Sequence, residues 1–366
     1  MNSKKVNPSD GFILDFDQFV ADRFHKLEID HPAGYGVFQP ENPYSDEDEE
    51  INWLETVLKW ESTDETFNAR SNKFRRFGRA FLFLNEDDSV FQALVNWATN
   101  PSKQHGYLAP KSIGDVPYFP PVSDSSRLKM NSRFQLRDED RVEYGDNFWD
   151  RFEEYASLPL VLTEGAFKAL TLVQQGVPAI SLYGCSCGVE KTVVETDGKK
   201  GTEYHLKETL KKFCKPGRRV IIALDNDAKP DTKRKVAIAQ SKLFSALKNN
   251  NCKPSIMSWS ADFKGVDDLI VGNLQHFEER FEDALYPQKK STIMTMRELI
   301  LTNYGSRIKY NLMTQKTELD GVKLSLNNPK TLWNCTLELA GEFNSSDIVD
   351  AICGYALERS YHPVQE

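Results

Sequence analysis

The chain has 366 residues, enough for two or three domains. Its content of 40% hydrophobic and 27% charged residues is ordinary for a globular protein. Its formal net charge of −8 argues against a protein whose main role is to coat duplex nucleic acid, although local basic patches are compatible with that charge. No run of about 18 apolar residues occurs, and the first residues lack the apolar centre of a signal peptide. We therefore expect a cytoplasmic protein without a membrane partner.

The six cysteines are scattered and form no C-x-x-C pair, so the sequence does not predict a structural zinc site. Two of them flank Ser186, in the short stretch from Cys185 to Cys187. We interpret these as small residues that fill a tight loop, because a reducing cytoplasm disfavours a redox role.

The N-terminal region, 1–150, is expected to be an accessory α+β region in which helical stretches, such as 51–60, alternate with polar loops. Its segment 70–79 interleaves Arg75 and Arg76 with phenylalanines. Such a segment can follow a single nucleic-acid strand, with bases stacked on the rings and phosphates meeting the cations. The alternative is an amphipathic segment whose phenylalanines enter the core. We keep the two arginines as candidate template contacts.

The central region, 151–288, is more regular, because short apolar runs alternate with helical periodicity. Strands are predicted at the apolar runs, over 159–164, 178–184, 218–225 and 254–259. Helices are predicted over 166–176, 203–213 and 232–249, the last with Val236, Ala239, Leu243 and Leu247 facing the core. This alternation predicts an α/β fold with a mainly parallel sheet flanked by helices.

Carboxylates follow three of these strands. Glu164 ends the first strand, Asp225 and Asp227 end the third, and Asp267 and Asp268 come after the fourth. Because ligands of parallel sheets gather at the carboxyl ends of the strands, these groups should lie at one edge. Carboxylates that lie close together repel one another and favour a bound cation, and a site of hard oxygen ligands favours Mg²⁺ or Mn²⁺. A D-x-D pair alone is weak evidence, since strand-end carboxylates also cap turns.

Basic residues follow the aspartate pair. Lys229, Lys233 and Arg234 could neutralise phosphates beside a metal ion.

Four sequence blocks carry a resemblance to a known family: TEGAFKA, GVPAISLYG, IALDNDAKPDTKRKV and KGVDDLI. In this order they resemble the Toprim domain of DnaG-type primases, topoisomerases and related nucleases, most closely the primase-like members found beside helicases in plasmids and phages. The resemblance implies a Toprim-like parallel sheet. It also implies that Glu164 and Lys168 are catalytic, with Glu164 as general base, and that the aspartates bind Mg²⁺ or Mn²⁺.

The chain also departs from the pattern of that family. Phe167 precedes Lys168 where close relatives usually have two lysines, and no glycine soon follows the D-x-D. The zinc module of familiar primases is absent too, because residues 1–150 contain no cysteine. Template recognition is therefore expected to differ, or priming activity to be missing.

The C-terminal region, 289–366, is expected to be a small α+β appendage with a hairpin at the Asp-Gly turn of 320–321. It resembles the lead-in to helicases of the virulence-associated protein E family, although no G-x-x-x-x-G-K phosphate loop occurs.

Together these features predict the primase half of a primase–helicase, which joins nucleoside triphosphates on a single-stranded DNA template with Mg²⁺ and works with a helicase. The alternatives are a Toprim nuclease, which would use the same acids, and a non-catalytic module that docks DNA or a helicase.

Overall fold

The computed structural model describes residues 15–39, 53–59, 77–97, 105–111, 116–145, 147–196, 199–227, 229–287, 308–311, 316–319, 322–323 and 360–361. These residues form a mixed α/β structure with a four-stranded parallel sheet and a separate four-stranded antiparallel sheet. Within them no helix is both long enough and apolar enough to cross a bilayer.

The first described helix is α1, Phe16–Lys26, where the Asp15 carboxylate caps the helix by accepting from the N–H of Gln18. An antiparallel sheet follows, with strands in the order β1 to β4: Gly36–Gln39, Phe77–Leu84, Val90–Trp97 and His105–Leu108. The sequence reading predicted none of these strands. The helix predicted over 51–60 is only the single turn α2, Trp53–Thr56.

Two helices connect this sheet to the next. They are α3, Asp124–Arg133, capped by the Ser123 side chain, and the short α4, Phe148–Arg151. The connection is closely packed, since the Trp149 indole N–H donates to the Pro120 carbonyl at 2.8 Å.

The parallel sheet has the order β10-β9-β5-β6, with all three neighbouring pairs parallel. Its strands are β5, Leu160–Glu164; β6, Ala179–Leu182; β9, Arg219–Ile222; and β10, Lys253–Ile256. Helix α5, Ala166–Gln174, follows β5. Gly176, with φ +74°, lies just after the end of this helix and turns the chain towards β6. All four predicted strands and the parallel arrangement are thus confirmed, although β9 ends at Ile222, before Asp225.

Between β6 and β9 the chain forms an antiparallel hairpin, β7 (Val189–Thr196) with β8 (Lys199–Leu206). The prediction of a polar loop and a helix over 203–213 was therefore wrong, because only α6, Glu208–Lys211, is helical there. The hairpin lies on a long helix described next, where Asn249 Nδ2 donates to the Tyr204 carbonyl at 3.1 Å. The local sequence is polar and does not show that this hairpin is stabilised by packing on a helix that comes later in the chain.

Three further helices flank the parallel sheet. Helix α7, Pro230–Asn249, follows β9, while α8, Val266–Gly272, and α9, Leu274–Leu285, follow β10. The four α7 positions predicted to face inward are all buried: Val236, Ala239, Leu243 and Leu247. Helices α8 and α9 pack on each other, and α8 also packs on α5.

One buried core continues from the N-terminal part into the parallel sheet. Phe24 of α1 lies edge-on to Phe167 of α5, with 5.2 Å between ring centroids. Tyr118 pairs with Ser181 of β6 as an isolated bridge. In the C-terminal region four short strands are described: β11, Ile308–Asn311; β12, Lys316–Leu319; β13, Val322–Lys323; and β14, Ser360–Tyr361. Strands β12 and β13 pair antiparallel on either side of the predicted Asp-Gly turn, whose own residues lie outside the described part.

Candidate functional site

Glu164 is the last residue of β5 and lies at the carboxyl edge of the parallel sheet. Gly165 follows with φ +92°, a conformation that glycine adopts at no steric cost, and it turns the chain directly into α5. The preceding Thr163 hydroxyl donates to the Ala223 carbonyl at 2.8 Å and ties β5 to the segment after β9. The carboxylate is therefore held, half-buried, beside the loop that carries Asp225.

The loop after β9 is held to the segment before α8 by Asn226. Its N–H donates to the Lys264 carbonyl at 2.8 Å, and its side-chain amide donates to the Trp259 carbonyl at 2.9 Å. Asn226 thus has a structural role between the two aspartates. Asp225 lies at the same edge as Glu164, with its side chain 17% exposed.

Lys168, one turn into α5, lies among the acidic groups. Its ammonium nitrogen is 2.9 Å from Oδ1 of Asp225, and Lys264 approaches Oδ2 of Asp225 at 3.9 Å. Burial lowers the pKa of Lys168, but the charges of Asp225, Asp267 and Glu164 outweigh burial and raise it. Lys168 is therefore the internal counterion of the three carboxylates.

Asp267, in the first turn of α8, supplies the third carboxylate of this group. It is 5% exposed, and its Oδ1 atom has no hydrogen-bond partner among the described residues. A Cβ atom on Gly265 would lie 2.2 Å from that oxygen and 2.6 Å from Cε of Lys168. The absence of a side chain at Gly265 is thus what lets Asp267 and Lys168 come together.

The carboxyl groups of Glu164 and Asp267 both have raised pKa values. Burial is the main cause for Glu164, followed by the negative charge of Asp225; Lys168 and the backbone N–H of Cys185 act in the opposite direction. Burial also raises the pKa of Asp267, while Lys168 and Arg23 oppose the shift. Each group therefore gains from a nearby positive charge when it is ionised.

The other described residues that the sequence predicted for the site have local hydrogen bonds or lie exposed on the surface. Asp227 turns its Oδ1 to the N–H of Lys229 at 2.8 Å, and exposed Asp268 accepts from the N–H of Gly265 at 3.2 Å, so both serve local turns. Lys229, Lys233 and Arg234 are exposed at the start of α7. Arg75 and Arg76 lie outside the described residues.

Within the described residues, no group of three or more histidine, cysteine, aspartate or glutamate side chains is arranged to hold a metal ion. This argues against a closed metal cage. It is compatible with Mg²⁺, which is commonly held by one or two carboxylates together with water and substrate phosphates. The neighbouring Glu164 and Asp225, and the unpartnered oxygen of Asp267, fit such an open site.

Two features of the sequence find structural explanations here. Phe167, which departs from the family pattern, is 3% exposed and packs edge-on against Phe24 and Phe83, with ring centroids 5.2 and 5.1 Å apart. Cys185 and Cys187 are free thiols in the loop after β6, beside Glu164.

Sequence reasoning missed three residues at this edge. Lys264 stands three positions before Asp267, and this spacing could have suggested it. Arg23 of α1 and Tyr107 of β4 come from the N-terminal part: the charge of Arg23 acts on Asp267, and the charges of Arg23, Lys168 and Asp267 act on Tyr107. No local pattern indicates these two, because their proximity depends on the packing of α1 against α5.

Residues 148–277 match a family described as a domain of unknown function, DUF3854. An uncharacterized protein of the cyanobacterium Picosynechococcus is 35% identical over 130 residues, which is 35% of this chain. The chain spans 13% of the length of that relative. The matched segment includes Glu164, Lys168, Asp225 and Asp267.

Proposed function

We propose that the acidic edge is a Toprim-type site for Mg²⁺-dependent phosphoryl transfer, and that the protein is a primase-like enzyme of a mobile element. The observation that carries the proposal is the convergence of Glu164, Asp225 and Asp267 around Lys168. They come from three separate segments at the carboxyl end of a parallel sheet. Repelling carboxylates at this position stabilise a fold only poorly and serve well to bind a cation.

The residues have distinct roles in this proposal. Asp225, together with the unpartnered oxygen of Asp267, would hold Mg²⁺ or Mn²⁺, which would stabilise negative charge on the transferred phosphoryl group. Glu164 would accept the proton of the attacking hydroxyl, since burial raises its pKa and makes the carboxylate a stronger base. Lys168 holds the acids in place and lies where it can meet a phosphate oxygen.

The substrates that fit are nucleoside triphosphates and a single-stranded DNA template. The exposed cations Lys229, Lys233 and Arg234 at the start of α7 provide a surface for phosphates, and any contribution of Arg75 and Arg76 would add to it. The C-terminal resemblance to helicase lead-ins suggests a helicase as partner.

Primer synthesis on an unprimed single-stranded template tests the proposal. The wild-type protein should make short products with Mg²⁺ or Mn²⁺ and labelled nucleotides, and Asp225→Ala should abolish them without loss of the fold by circular dichroism. Asp268→Ala is the matched control, because that carboxylate caps a helix.

The same preparations should be assayed for nicking of a labelled strand. Metal-dependent nicking without primer synthesis would replace the primase proposal with a Toprim nuclease that uses the same acids. Neither product with any divalent ion, together with unchanged DNA binding in Asp225→Ala, would indicate a non-catalytic docking module.

A further inference from the structure

Arg23 lies near the end of α1, and its guanidinium carbon is 4.6 Å from the centroid of the Phe167 ring. Arg23 also acts on the charge of Asp267, so a cation of the N-terminal part lies near the acidic edge. The position is well supported, because the buried Phe24, next to Arg23 on α1, also packs on Phe167. The ring contact favours the guanidinium at this place but uses none of its N–H donors.

Among the residues that the structure describes, none accepts a hydrogen bond from the Arg23 side chain. Its Nε atom is buried without a hydrogen-bond partner, and Arg23 forms no ion pair with any other residue that the structure describes. Arg79 and Arg133 differ, since they pair with Asp17 and Glu278 through two nitrogens each. The Arg23 side chain is partly buried, and an unpaired buried donor of a charged group is costly, so an acceptor oxygen bound here would be favourable.

The surroundings of Arg23 indicate the sign of that ligand. The charges of Arg23 and Lys168 both favour the ionised form of Asp267, so both cations lie near this carboxylate without an ion pair between Arg23 and Asp267. Both also lower the pKa of Tyr107 on β4, although desolvation outweighs them and raises it overall. Arg23 therefore lies between the acidic edge and the antiparallel sheet. Its planar fork of donors suits the oxygens of a phosphate.

We infer that Arg23 binds a phosphate group of the substrate, so that the N-terminal part supplies an anion-binding residue to the site on the parallel sheet. This inference rests on the proposed function. The phosphate belongs either to a nucleoside triphosphate or to the backbone of a single strand, and the chemistry of recognition is the same for both.

The experiment measures binding of ATP and of a dodecamer of deoxythymidine to the full chain in Mg²⁺, by calorimetry. Arg23→Met keeps the length and apolar packing of the side chain, and Lys26→Gln, exposed on the same helix, is the control of equal charge change. We expect Arg23→Met to lower the affinity for one of the two probes about 10- to 100-fold, as for the loss of a charged hydrogen bond. Lys26→Gln should change the affinity for either probe by no more than about twofold.

Weakened ATP binding identifies the triphosphate, and weakened oligonucleotide binding identifies the backbone. Equal affinities for both probes in Arg23→Met and wild type overturn the inference, as does the absence of binding to either probe in the wild type. Arg23→Lys keeps the charge but loses the planar fork, so its affinity should lie between those of the wild type and Arg23→Met, and equal unfolding transitions of the three proteins guard against a folding defect.

A Mn²⁺ titration without nucleotide separates this inference from the proposed function. Arg23→Met should bind Mn²⁺ like the wild type, whereas Asp225→Ala should not. Wild-type protein that binds no Mn²⁺ contradicts the proposed metal site, whatever the result with the phosphate probes.

Discussion

The ammonium group of Lys168 lies 2.9 Å from a carboxylate oxygen of Asp225, and both side chains are more than four-fifths buried. A lysine therefore occupies the place among the acids where a cation is needed. Because Lys168 also faces Asp267 and Glu164, it balances charges that would otherwise repel one another across the sheet edge.

Lys168→Met should lower the free energy of unfolding, measured in urea, by about 1 to 3 kcal/mol. The loss is smaller than for breaking a fully buried ion pair, because some solvent reaches the site. Added Mg²⁺ should raise the melting temperature of this variant more than that of the wild type, since the ion replaces the lost charge. Lys264→Met is the control: its side chain is 64% exposed and its ammonium nitrogen is 3.9 Å from Asp225, so a cost below about 0.5 kcal/mol is expected. Equal losses for the two variants would contradict the role given to Lys168.

Gly265→Ala should disturb the site by steric conflict. The added carbon would meet Oδ1 of Asp267 at 2.2 Å and Cε of Lys168 at 2.6 Å, and we expect a loss of about 1 to 3 kcal/mol together with weaker Mn²⁺ binding. Gly34→Ala has open space around the new carbon and should leave metal affinity unchanged. Thermal unfolding and Mn²⁺ titration of both variants provide the measurement, and a Gly265→Ala protein with wild-type affinity would speak against this geometry.

Asp267 should make stability depend on pH. Its pKa is raised in the folded protein, first by burial, so the folded state keeps a proton that the unfolded state loses above about pH 4. Stability from this group is thus complete below its unfolded pKa and declines as pH rises towards the folded pKa. The free energy of unfolding of the wild type minus that of Asp267→Asn should therefore fall with pH across this window and then level off. Urea titrations at constant ionic strength without divalent ions measure it; a difference that rises with pH would refute the assignment.

Phe24→Ala should loosen the attachment of α1 to α5. Phe24 is 1% exposed and contacts Phe167, Phe81 and Phe83, so about 3 to 5 kcal/mol of stability should be lost. Phe19→Ala, on the same helix but only partly buried, should cost less. Denaturant unfolding compares them, and similar losses would show that the contact with Phe167 adds little.

Much of the parallel sheet could be predicted from the sequence. Strands buried on both faces appear as short apolar runs, and β5, β6, β9 and β10 were found where such runs occur. The β7–β8 hairpin was missed, because its exposed polar positions make a strand look like a loop until its partner is known. The antiparallel sheet was missed although β2 and β3 are largely apolar and buried, because a short apolar run alone does not separate a strand from a buried helix.

The sequence by itself determined that carboxylates follow the strands of a parallel sheet. Apolar runs, and the residues that come directly after them in the chain, can be read locally. Only the tertiary structure decided which of them face one another. Asp267 and Asp268 are adjacent in the chain, but the helical rotation of about 100° per residue buries the first and exposes the second. Arg23 reaches the same edge only because aromatic packing joins α1 to α5, and a contact between distant segments leaves no pattern in either one.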